Sequence, residues 1–159
     1  MKKLSMLFAV VVMSLTSCSS DDSSSTDNNN NNGGISNNPV SGTLYGDDFT
    51  IGGGYARMQT INEVESFTLY MTDENLDCDD AFSGDFPIVV RTPSAIATHT
   101  TGTAISFNDP GSDDFISVGS GVTVIITEVT DTMVKGKVKG ASTSTDNDIN
   151  GTFSLPICE

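Results

Sequence analysis

From Val40 onward the chain predicts an all-β fold, antiparallel and built as a β-sandwich. Three observations predict it. Short runs rich in Val, Ile, Thr, Tyr and Phe recur at close spacing; Gly, Asp, Asn and Pro separate them; and nothing between Val40 and Glu159 keeps a helical period. Many short strands with turn signals between them close into two packed sheets or into a barrel, so an open or closed β-barrel is the alternative.

Taken in order, strands are expected over residues 40–45, 49–51, 55–60, 65–72, 87–92, 103–107, 115–118, 122–129, 133–141 and 149–156, roughly eight to ten short strands in all. The clearest alternation closes the chain. Val134, Gly136, Val138 and Gly140 share one face, while Lys135, Lys137 and Lys139 share the other. Ile149, Gly151, Phe153 and Leu155 likewise alternate with Asn150, Thr152 and Ser154. The polar, turn-prone stretch between these runs predicts a hairpin, and its small inward positions predict curvature or close sheet packing.

The chain of 159 residues has room for one such domain once its amino-terminal region is set aside. Apolar residues make up only 36 %, and the deficit lies mainly in residues 17–38. Ser19 to Pro39 carries one large apolar residue, Ile35, so it cannot bury enough surface to offset chain entropy and is expected to be a disordered tether. Such a coil averages about 25 Å end to end and stretches to about 70 Å.

Met1 to Cys18 reads as an address. Lys2 and Lys3 precede an apolar core of 12 positions, Leu4 to Leu15. A membrane-spanning helix needs about 20 apolar residues, so the core is too short to remain as an anchor and is expected to be a cleaved signal peptide, residues 1–17. Leu15-Thr-Ser-Cys18 resembles the lipobox of bacterial lipoproteins. The resemblance implies cleavage before Cys18 and acylation of that residue, with a palmitate-type chain, and several acyl chains on one residue give stable anchoring. Ser19-Ser20-Asp21-Asp22 is similar to the export signal of surface lipoproteins in the Bacteroidota, which implies the cell-surface side of the outer membrane, with its periplasmic face as the alternative. The organisation is therefore a signal peptide over 1–17, a lipidated linker over 18–39 and an all-β domain over 40–159. That domain has the general look of small all-β lipoprotein domains of unassigned role.

Charge narrows the partners. Removing Lys2 and Lys3 with the leader takes the formal charge from −14 to −16. Nucleic acid needs a positive footprint and is excluded, and docking onto anionic lipid by charge is disfavoured. Lipidation of Cys18 leaves Cys78 and Cys158 as an even pair, expected to form a disulfide in an oxidising envelope.

Candidate chemistry is sparse. His99 is the single histidine, no G-x-S-x-G elbow presents a serine, and no carboxylate pair is marked, so no catalytic residue is assigned and the chain is not expected to be an enzyme. Asp146-Asn-Asp-Ile-Asn-Gly151 fits the opening of a calcium loop, which makes Asp146, Asp148 and Asn150 candidate calcium ligands; no other cofactor is expected. The loop's twelfth position falls on Ile157 rather than Glu, and the expected strand already takes in Asn150. Lys135, Lys137 and Lys139 keep a strand face solvated and discourage edge aggregation, or else form a stripe that grips an acidic glycan or a carboxylate-bearing protein. Trp is absent and Tyr is limited to Tyr45, Tyr55 and Tyr70, a poor supply for sugar stacking. The expectation is a membrane-anchored, non-catalytic binding or accessory module for a glycan or protein, with a structural coat or adhesin component as the alternative and a hydrolase ranking last.

Overall fold

A computed structural model of the chain describes residues 34–81, 86–109, 111–112 and 114–159. The expected signal peptide (residues 1–17), Cys18 and residues 19–33 of the expected tether lie outside them. The described part is an antiparallel β-sandwich. Its strands, in chain order, are β1 (Ser41–Leu44), β2 (Asp47–Thr50), β3 (Gly53–Ile61), β4 (Val64–Thr72), β5 (Ile88–Pro93), β6 (Thr98–His99), β7 (Ala104–Asn108), β8 (Phe115–Val118), β9 (Thr123–Val129), β10 (Met133–Ser142) and β11 (Asn147–Pro156). One sheet has the order β2-β1-β11-β10-β9-β6 and the other β3-β4-β5-β7-β8. Neither closes into a barrel. Ten strands fall where the sequence places them; the eleventh, β6, is held only by the pairs Thr98↔Ile125 and His99↔Val124.

Local sequence explains the hairpins. β3 and β4 are joined by Asn62 and Glu63, both at positive φ (49° and 67°), as a two-residue turn between twisted strands requires. Tyr45 (52°) and Gly46 (96°) do the same for β1 and β2. Tyr45 is an unusual residue for this conformation, and two bonds hold it there: its N–H donates to Asn147 Oδ1 at 2.6 Å and its hydroxyl to the Phe107 carbonyl, in the other sheet, at 2.8 Å.

The predicted alternation of β10 and β11 is observed. Val134, Val138, Ile149 and Leu155 are buried, and they face Phe67, Leu69, Met71, Ile88, Val90, Ile105 and Phe107 across the interior. Gly136 and Gly140 complete the inward row because there is no room for more. A Cβ on Gly136 would stand 2.2 Å from the Ile125 carbonyl oxygen and 2.7 Å from Phe153 Cζ.

The domain begins before Val40, earlier than the sequence predicts. Ser36 N–H donates to Asn150 Oδ1 at 2.9 Å, Thr152 N–H to the Asn38 carbonyl at 2.8 Å, and Val40 N–H to the Thr152 carbonyl at 3.0 Å. Pro39 thus runs parallel beside Thr152. The incoming chain is laid along β11 before β1 starts.

Candidate functional site: a lysine-lined cleft

The outward face of β10 carries the lysines. Cross-strand register sets Lys135 opposite Ser154, Lys137 opposite Thr152 and Lys139 opposite Asn150, so each cation on β10 has a small polar neighbour on β11. The pairing of β10 with β9 slips between Lys135 and Gly136: Lys135 opposes Glu128, Gly136 opposes Ile126, and Thr127 is the extra residue of a bulge. A bulge re-aims a side chain. Here Thr127 and Glu128 are both exposed and both reach Lys135, Thr127 Oγ1 donating to its carbonyl at 3.1 Å and Glu128 pairing with its ammonium at 3.1 Å.

Lys135 and Lys137 line a cleft of 630 Å³ together with Thr127, Thr152 and Ser154, a volume within the usual range for ligand sites. The facing wall comes from distant sequence: Gly52 to Gly54, where β3 begins, and Asn75 to Asp77 in the loop after β4. Glycine is required there because backbone lies on backbone. Gly52 N–H donates to the Thr72 carbonyl at 2.8 Å, Gly54 N–H donates to the Leu76 carbonyl at 2.7 Å, and a Cβ on Gly53 would fall 2.5 Å from Leu76 N.

Cys78 and Cys158 form the expected disulfide, with Cα atoms 5.5 Å apart. It fastens the wall at Asp77 to the chain just past β11, where Cys158 N–H also donates to the Ala56 carbonyl at 2.8 Å. Pro39 stands at the cleft, and the Lys137 ammonium donates to Asn37 Oδ1 at 2.5 Å. The arrangement offers two ammonium groups, several hydroxyls and an amide on a fixed frame, which is chemistry for holding an oxyanion-bearing ligand.

The other candidate residues are placed apart from this cleft's chemistry. Asp146 sits in the β10–β11 turn at φ 52°, while Asp148 and Asn150 are on the outward face of β11. The calcium-loop reading thus falls on a hairpin, and Asn150 Oδ1 already accepts the Ser36 N–H. Among the described residues no group of three or more His, Cys, Asp or Glu gathers to hold a metal. His99 Nε2 donates to the Ala95 carbonyl at 2.8 Å, four residues back in the segment that leads into β6.

On the outer face of the five-stranded sheet, Tyr55 and Tyr70 are register partners and stack, with ring centroids 4.6 Å apart and 16° between planes. Phe86 meets both rings edge-on. Tyr55 is buried and its hydroxyl donates to the Ala81 carbonyl at 2.7 Å, so its ring is taken up by packing with Tyr70 and Phe86 instead of standing open as a stacking platform. Burial raises the pKa of Tyr55 above the ordinary tyrosine value, Tyr70 adds to the rise, and Arg57 opposes it.

The lysine row was legible in the sequence as a strand face. Its facing wall was not, because residues 52–54 and 75–77 carry no signal that they meet β10. Comparison with family models, with curated proteins and with solved structures finds no match to this chain.

Proposed function

We propose that the chain is a lipoprotein anchored in the outer membrane through acylated Cys18 and carried on the cell surface, where its β-sandwich acts as a non-catalytic binding module. The lysine cleft is its contact site, and the partner is a glycan or protein that presents carboxylates. One observation carries the binding half of this reading. Of the five cationic side chains that remain after leader removal, three stand on one strand face of an acidic chain, and two of these line a cleft of 630 Å³. The address rests on the lipobox resemblance of Leu15 to Cys18 and on the acidic residues Asp21 and Asp22 that follow it.

Two experiments test the two halves. Protease shaving of intact cells carrying a carboxy-terminally tagged protein is expected to remove the tag without breaching the outer membrane; protection until the membrane is broken would contradict surface exposure. Screening the intact protein on arrays of acidic glycans and acidic proteins is expected to give binding that K135Q/K137Q weakens. Binding that is indifferent to both lysines would move the contact site elsewhere.

A further inference from the structure

We infer that the lysine face takes an extended acidic peptide with a carboxylate on every second residue. This deepens the reading of the cleft as the contact site and rests on it. Lys135, Lys137 and Lys139 occupy alternate positions of one strand, so their Cα atoms repeat at about 6.8 Å. An extended peptide laid along β10 repeats its own alternate side chains at the same interval, so three carboxylates meet three ammonium groups in step. A polyuronate carries one carboxylate on every sugar ring, at a shorter repeat, and loses register along the same row.

The present contacts support a peptide-borne acceptor. Lys135 holds the Glu128 carboxylate at 3.1 Å and Lys137 the Asn37 amide oxygen at 2.5 Å. Both are exposed contacts, worth little in water, and both exchange readily for a ligand oxygen. Ser154 and Thr152, opposite Lys135 and Lys137, add hydroxyls beside the cations. The acidic remainder of the protein opposes such a partner only weakly, since at physiological ionic strength charges beyond about 8 Å are largely screened. Acids close to the face are Glu128, already paired, Asp77 on the facing wall and Asp148 on β11.

The test compares three probes on the intact protein by fluorescence anisotropy: the peptide Gly-Asp-Ser-Asp-Ser-Asp-Gly, its isomer Gly-Ser-Ser-Asp-Asp-Asp-Gly, and trigalacturonate. The alternating peptide is expected to bind most tightly. K137Q is expected to weaken it about two- to fivefold, and K135Q/K137Q/K139Q to erase the preference between the isomers. Because these side chains point outward, an unchanged thermal unfolding curve separates lost binding from lost fold. Equal affinity for the two peptides, tighter binding of trigalacturonate, or an unaffected triple variant each overturns the inference. The array screen reads whether the lysines bind anything, whereas this comparison reads only which anion fits, so the two failures are distinct.

Discussion

Asn147 occupies a fully buried position at the start of β11, where a polar side chain persists because the Tyr45 N–H needs an acceptor. Replacing it by alanine leaves that donor without its partner. Asn147→Ala is expected to cost about 1–3 kcal/mol, read as a lower urea midpoint at unchanged slope; an unchanged midpoint would show that the bond contributes nothing. The tyrosines set a second expectation. Tyr45 and Tyr55 both have pKa values raised by burial. A raised folded-state pKa leaves stability intact below the unfolded tyrosine value of about 10, where both states keep the proton. Above it the unfolded chain ionises first, so stability falls as pH rises through the folded values. Unfolding free energy measured against pH is expected to decline at alkaline pH, and less steeply in Tyr55→Phe. A decline of the same slope in that variant would contradict the assignment to Tyr55.

At the scale of elements, β10 lies too close to β9 and to Phe153 of β11 to admit a side chain at Gly136. Gly136→Ala drives a methyl against the Ile125 carbonyl oxygen, which cannot retreat without breaking the sheet. It is expected to destabilise by about 1–3 kcal/mol, measured by denaturant unfolding, and a neutral result would mean the bulge at Thr127 absorbs the strain. The disulfide clamps the loop after β4 to the end of β11 across 80 residues of sequence. Cys78→Ser with Cys158→Ser is expected to cost about 4–5 kcal/mol on the chain-entropy account. Because the clamp also holds the cleft wall, the double variant is expected to lose ligand binding at temperatures where the sandwich stays folded; retained binding would show that Gly52 to Gly54 position the wall unaided.

These elements also show what a sequence reveals. Alternation of period two is a local property, so β10, β11 and the lysine face were legible residue by residue. β6 was not, because Thr98 and His99 are too few to show any period and exist as a strand only through β9. Sandwich against barrel was also open, since sheet membership depends on long-range pairing. The cleft is half of each kind. Its lysine floor is local pattern, while its wall is brought by a hairpin crossing and a disulfide. The stacking of Tyr55 on Tyr70 depends in the same way on register between two strands.

The whole molecule joins an acidic β-sandwich to an amino-terminal segment that enters along β11, with Asn37 on Lys137 and Pro39 at the cleft. A ligand bound at the contact face would therefore sit beside Asn37 and Pro39, where the described chain enters the sandwich. Cys18→Ala is expected to release the protein from the membrane fraction without altering the unfolding curve of the sandwich, as fractionation and calorimetry together would show. The most direct measurement is mass spectrometry of the amino-terminal peptide from the native, membrane-extracted protein. The account predicts a chain that starts at Cys18 and carries a diacylglyceryl thioether and an acylated amine. A bare Cys18 thiol, or a leader still attached to it, would contradict the claim that this sandwich is held to a membrane.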